Sequence, residues 1–250
     1  MWLTIRAGEL MLSTATREKI ERFWSMELDC AIDALRRPGI TVVPRAQPGA
    51  FLLRYGDACV FSVPERLLER VVEATGHRGA AECFDVGAIK AMLTPGVTLI
   101  LGPCPIGYLE QSMWRAPANA PSRRLNAGDA AEVEDLAQAC GSEAWEHGGI
   151  EWGVHDAVFG AFAGGRLAAA ASYERWGDAI AHVGVVTSPA SRGKGLGKMV
   201  AAAAAQHALS VGLIPQWRTL ASNHASVAVG KALGFETVAT HYFARLATVP

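Results

Sequence analysis

The run Arg192-Gly193-Lys194-Gly195-Leu196-Gly197 constrains this chain more than any other stretch of its sequence. Three glycines at alternate positions separate a β-branched segment, Val185-Val186-Thr187, from an alanine-rich segment that continues to about Val211. A strand-to-helix turn of this composition lets bare backbone N–H groups converge, and the helix adds the positive end of its dipole. Such a turn suits an anion. A Walker loop is excluded, because Lys198 is followed by Met199 and no hydroxyl is placed to meet magnesium. A dinucleotide fingerprint is excluded as well. The spacing is Gly193-x-Gly195-x-Gly197, and the region around Gln216, Trp217 and Arg218 offers no acidic residue for a ribose. A tight connection with no ligand is the other reading of the glycines taken alone.

The patterning on either side predicts a mixed α/β protein. After the Pro- and Ala-rich stretch at 116–122, helix is expected over Ala130–Cys140. Strands are expected over Ala157–Ala163 and Arg166–Glu174, joined at Gly164-Gly165, and over Ala179–Thr187. Trp217–Ala221 reads as a short strand, Asn223 as the cap of a helix to Leu233, and Thr237–Leu246 as a closing strand. Before the break, apolar spacing predicts a helix over Thr16–Arg37 stopped by Pro38-Gly39. A hairpin follows around Tyr55-Gly56-Asp57, then helices at Glu65–Ala74 and Asp85–Met92, and a strand at Val97–Leu101 turned by Gly102-Pro103-Cys104-Pro105. Two domains are expected, 1–118 and 122–250.

Composition bounds the partners. Half the residues are hydrophobic and 19% are charged, enough apolar content for a real core. Lys plus Arg number 23 against 24 Asp plus Glu, a net charge of −1, which gives no general attraction to nucleic acid or to an anionic membrane. The five cysteines form no C-x-x-C pair, so no zinc knuckle, dithiol or disulfide framework is expected, and no metal site. Free thiols and the absence of an export pattern near Arg6 and Glu9 predict a cytoplasmic protein. The apolar stretches 157–172 and 200–214 are interrupted or too short to span a bilayer.

The remaining loop pattern is R-x-x-G-x-G, and at these residues the sequence resembles the GNAT N-acetyltransferase superfamily. Val185-Val186-Thr187-Ser188-Pro189 is similar to that family's fourth strand and its exit. Asn223-His224-Ala225-Ser226 followed by Leu233-Gly234-Phe235 is similar to its later helix. The resemblance covers roughly the second half of the chain. It implies a mostly antiparallel central sheet flanked by helices, with the first half as a smaller mixed α/β extension. It also implies acetyl-coenzyme A as donor. The backbone of Arg192, Gly193, Lys194, Gly195, Leu196, Gly197 and Lys198 would hold the pyrophosphate. Val185, Val186 and Thr187 would line the pantetheine arm, with a backbone N–H near Val186 polarising the thioester carbonyl. Asn223 would approach the arm, or serve purely as a helix cap. The strand at Val185–Thr187 is expected to splay from the following one. The familiar fold closes with two strands, whereas Thr237–Leu246 supplies one. A first-half strand such as Val97–Leu101, or a strand from a second subunit of a homodimer, is expected to cover it.

Direct acetyl transfer to an amine needs a group to accept a proton. His182 lies in the strand that the resemblance makes the site of the base, and an imidazole titrates near neutrality. A partly buried structural histidine is the alternative, and Glu174 is the second candidate. The family's acid is a tyrosine four residues before the L-G-F glycine, and here that position is Gly230. Ser226 or Tyr242 would have to substitute, or the thiolate leaves unassisted. Glu143, Glu146 and Glu151, with Trp145 and Trp152, fall where the family builds its acceptor wall, and suit a cationic amine or a plain surface loop. The expected activity is transfer of acetyl to a primary amine of a small molecule. The alternative is an acyl-coenzyme A sensor without turnover.

Overall fold

The computed structural model describes residues 11–117, 122–155 and 157–247. In chain order the elements are α1 (Thr14–Glu27), β1 (Gly39–Pro44), β2 (Ala50–Tyr55), β3 (Ala58–Val63), α2 (Glu65–Thr75), α3 (Ala80–Cys83), α4 (Val86–Leu93), β4 (Val97–Tyr108), β5 (Ser122–Arg124), α5 (Ala130–Cys140), α6 (Ser142–Gly148), β6 (Phe159–Ala163), β7 (Arg166–Trp176), β8 (Ile180–Thr187), α7 (Leu196–Ser210), β9 (Ile214–Arg218), α8 (His224–Leu233) and β10 (Glu236–Leu246). The fold is mixed α/β with mostly antiparallel strand pairs, as expected. The linker expected at 116–122 falls largely outside the described residues.

Two compact units form, and neither is continuous in sequence. One comprises Tyr108–Trp217 and Ala228–Glu236 with a leading segment to Thr16. The other comprises Arg17–Gly107, Arg218–Val227 and the chain from Thr237.

In the unit that contains most of the first half, the strand order is β1-β3-β2-β10-β4. β10 pairs antiparallel with β2 from Ala239↔Tyr55 to Ala244↔Ala50, and β4 flanks its other side, with Thr98 Oγ1 donating to the Arg245 carbonyl. First-half strands therefore cover the closing strand. Leu52, Phe61, Val71, Ile89, Leu93 and Tyr242 form the core. Two expectations are corrected here. α1 ends at Glu27, ten residues before Arg37. Asp29 takes a left-handed conformation (φ 52°), the Asp29 N–H bonds to the Met26 carbonyl, and the Cys30 N–H reaches back to Ser25 at 2.9 Å. That is a Schellman stop with aspartate in the place where glycine usually gives the signal. β4 also continues through Gly102-Pro103-Cys104-Pro105 instead of turning. Gly102 (φ 135°) lies on the ring of Tyr242, where a Cβ would come within 2.6 Å of it, so this glycine serves a close crossing within a strand.

In the other unit the order is β9-β8-β7-β6-β5, with β8 and β9 parallel and the rest antiparallel. Strand alternation splits β8 between two layers. Val185 and Thr187 face α7 through Gly197, whereas Gly184 and Val186 face Gly148 of α6. Leu125, Val133, Leu136, Ile150 and Val186 form the core beneath α5. β5 is held at the sheet edge by Arg123. Its guanidinium forks onto Asp129, with Nη1 at 2.8 Å from Oδ2, and lies 4.6 Å from the ring centre of Phe162.

Candidate active site

β8 delivers the chain into the glycine loop. A single turn at Pro189–Ser191 follows the strand, and Arg192 is extended. Gly193 (φ 75°) and Gly195 (φ 79°) then adopt left-handed conformations that a side chain would strain, and both have open space where a Cβ would stand. Gly197 is required for a different reason, since a Cβ there would meet Thr187 Oγ1 at 2.7 Å. The first bond of α7 runs from the Met199 N–H to the Gly195 carbonyl. The N–H groups of Leu196, Gly197 and Lys198 therefore point off the positive end of a 15-residue helix. Lys194 folds its ammonium onto the Ala190 carbonyl at 2.9 Å, bracing the loop, and Arg192 is exposed. Positive-φ glycines, helix-terminal donors and two cations fit a pyrophosphate.

The ladder between β8 and β9 runs from Ile180↔Ile214 to His182↔Gln216. β8 continues beyond it to Thr187, so Val185, Val186 and Thr187 lie past the last β9 pair. His182 stands at the point where the strands part. Its Nδ1 is 3.1 Å from Oε1 of Gln216, and Gln216 Nε2 donates to the Tyr108 hydroxyl at 2.8 Å. The ring of Trp176 stacks on the imidazole at 4.3 Å with 19° between planes. Glu174 lies directly opposite His182 on β7 and is exposed. Both base candidates thus share one face. A second pair, His155 Nδ1 and Ser172 Oγ at 2.7 Å, belongs to the same unit, with Ser172 opposite Gly184 on the β7–β8 ladder.

The other candidates have structural contacts of their own. Asn223 is a helix cap, its Oδ1 accepting the Ser226 N–H at 3.1 Å, which places both at the first turn of α8. Tyr242 is buried in a core, edge-on to Phe84 and against Gly102, and burial pushes its hydroxyl pKa up. Gly230 has a packing cause. A Cβ there would come within 2.7 Å of the Trp217 indole, which is itself buried and tilted against Phe235. Trp217 occupies the room that a tyrosine would need. Trp145 and Trp152 pack against the core beneath α5, while Glu143, Glu146 and Glu151 are exposed. Gln216, Trp176, Tyr108 and the His155–Ser172 pair were not anticipated from sequence. For Gln216, Trp176 and Ser172 the signal lies in the β8–β9 and β7–β8 registers, whereas Tyr108 on β4 and His155 outside the strands are in neither ladder.

A family model described as GNAT acetyltransferase matches residues 159–243. Among solved structures, a GCN5-related N-acetyltransferase from Kribbella flavida aligns over 94% of this chain and 96% of its own, at 18% identity and a TM-score of 0.54. That likeness concerns the fold and includes the first half. A GNAT-family protein from Novosphingobium aromaticivorans is 25% identical over 62% of this chain and 69% of its own, with a TM-score of 0.47. A GNAT-family acetyltransferase from Colwellia psychrerythraea is 17% identical over 63% and 61%, with a TM-score of 0.48. No match was found among curated proteins. The loop after β8 and the strands that part at His182 lie inside the matched segment, and the chain carries a GNAT acetyltransferase domain over residues 159–243.

Proposed function

We propose that the protein transfers an acetyl group from acetyl-coenzyme A directly to a primary amine of a small molecule. The observation that carries this reading is the position of His182, the last residue of β8 that pairs with β9 before the strand runs on to the glycine loop. Bound acetyl-coenzyme A supplies an activated thioester. The N–H groups from Arg192 to Lys198 hold its pyrophosphate, Val185 to Thr187 line its arm, and a backbone N–H near Val186 polarises the carbonyl. His182 accepts the proton that the attacking amine loses, and Glu174 across the ladder provides negative charge beside it. With Tyr242 in a core and the space at Gly230 taken by Trp217, the thiolate leaves without a tyrosine acid. Asn223 and Ser226 act as a helix-capping pair. Among the described residues no helix is long and apolar enough to cross a membrane. Cys59, Cys83 and Cys104 are buried free thiols, with Cys59 pushed up to about 11 by burial, in keeping with a cytoplasmic enzyme.

A second reading, an acyl-coenzyme A sensor, is favoured by the same filled acid position at Gly230. Thiol release from acetyl-coenzyme A across aminoglycosides, polyamines, amino acids and peptide amino termini separates the two. Release with any amine supports the transferase. Saturable binding with no release above hydrolysis across the whole panel supports the sensor.

A further inference from the structure

A neutral imidazole works as a base only at the nitrogen without a proton, so an enzyme that relies on one must settle the tautomer. The partners of His182 do this. The Gln216 carbonyl oxygen is 3.1 Å from Nδ1 and can only accept, which puts the proton on Nδ1 and the lone pair on Nε2. The amide is held in that orientation from its other end, where its nitrogen donates to the Tyr108 hydroxyl at 2.8 Å. Gln216 and Tyr108 are both 0% exposed, so neither has water as an alternative partner, and the amide as oriented joins hydroxyl, amide and imidazole in one chain of hydrogen bonds. The reversed chain, with the hydroxyl donating to the amide oxygen and the imidazole proton on Nε2, is the outcome that nitrogen NMR distinguishes. Trp176, stacked on the imidazole, fixes the ring plane. Backbone pairing sets the reach: His182 and Gln216 are register partners on parallel strands, so their side chains rise from the same face side by side.

We propose that Gln216 and Tyr108 form a positioning pair that holds His182 as the Nδ1–H tautomer, with Nε2 as the proton-accepting atom. The inference rests on the reading of His182 as the base. Neither residue touches the reacting atoms. Their effect is exerted through the imidazole.

The test is nitrogen NMR of the ¹⁵N-histidine-labelled full chain at about pH 9, above the ordinary histidine range. It is run on wild type, Gln216→Leu and Tyr108→Phe, with turnover and acetyl-coenzyme A affinity measured alongside. Expected are a protonated Nδ1 in wild type, loss of that single tautomer in Gln216→Leu, and a fall in kcat of roughly 10–100-fold, the scale for groups that orient a histidine from behind. The acetyl-coenzyme A dissociation constant stays unchanged. Tyr108→Phe keeps the ring and changes the tautomer in the same direction, and it carries the test if Gln216→Leu does not fold. A wild-type His182 protonated at Nε2, or variants that keep both the tautomer and kcat, overturns the proposal. Full turnover in His182→Ala would instead remove the base reading, and the NMR result reports on Gln216 independently of it.

Discussion

Gly184 of β8 and Gly148 of α6 meet backbone to backbone. A Cβ built on Gly184 would run into the Gly148 carbonyl oxygen and come within 2.9 Å of the Gly149 carbonyl oxygen. This contact seats α6 on the face of β8 that carries His182. The substitution Gly184→Ala is expected to force the two apart and to destabilise the protein by about 1–3 kcal/mol, the usual range for overpacking. Urea denaturation measures this. An unchanged midpoint would mean that α6 moves aside freely.

Gly230→Tyr restores the residue type that the family uses as acid, but it brings a ring into the place of the Trp217 indole. Expected are a lower melting temperature and no gain in kcat. A variant with higher turnover and undiminished stability would show that the position is vacant for an acid.

The Asp129 carboxyl is held at about 2, chiefly by the hydrogen bond from Arg123 and then by the Asn126 N–H. Its folded pKa lies below the ordinary aspartate value of about 3.9. The stabilisation is therefore fully present above that value and is lost as pH falls toward 2. In unfolding measurements the advantage of wild type over Asp129→Asn should be constant from neutrality to about pH 5 and shrink between about pH 4 and 2. A gap that widens on acidification would contradict the assignment.

A truncated chain beginning at Ser122 lacks β2 and β4, the strands on either side of β10. It is expected to be insoluble or unfolded, since β10 would expose two unpaired edges and the aromatic face of Tyr242. A soluble fragment with native circular dichroism and unchanged kinetics would show that the first half is dispensable.

Much of this architecture is legible in the sequence where local rules act alone. Tyr55-Gly56-Asp57 and Gly164-Gly165 mark hairpins that form, and Asn223 caps α8 as its position before an apolar helix suggests. Reading fails where tertiary contacts override local signals. Asp29 stops α1 without a glycine, and Gly102-Pro103 sits inside β4 because Tyr242 crosses it there. β9 begins at Ile214, three residues before the expected Trp217. Pro215 reads as a helix terminator, although its carbonyl accepts the Leu109 N–H within the sheet. β1 was not expected at all, and its pairing is parallel to β3 with no hairpin turn to announce it. The glycine loop announces itself by composition, whereas His182 is reached through the resemblance, which places the base on its strand. Gln216 becomes visible once the β8–β9 register is known, because 34 residues separate it from the histidine it faces.

The most direct measurement is calorimetric titration of acetyl-coenzyme A into wild type, Gly195→Ala and Gly195→Glu. Any side chain at φ 79° costs about 1–2 kcal/mol of backbone strain, which the alanine variant isolates. The glutamate adds bulk and negative charge at the converging N–H groups. Expected are measurable binding in wild type, weaker binding in Gly195→Ala and none in a folded Gly195→Glu. Affinity in Gly195→Glu equal to that of Gly195→Ala would show that the loop after β8 does not hold the donor's pyrophosphate.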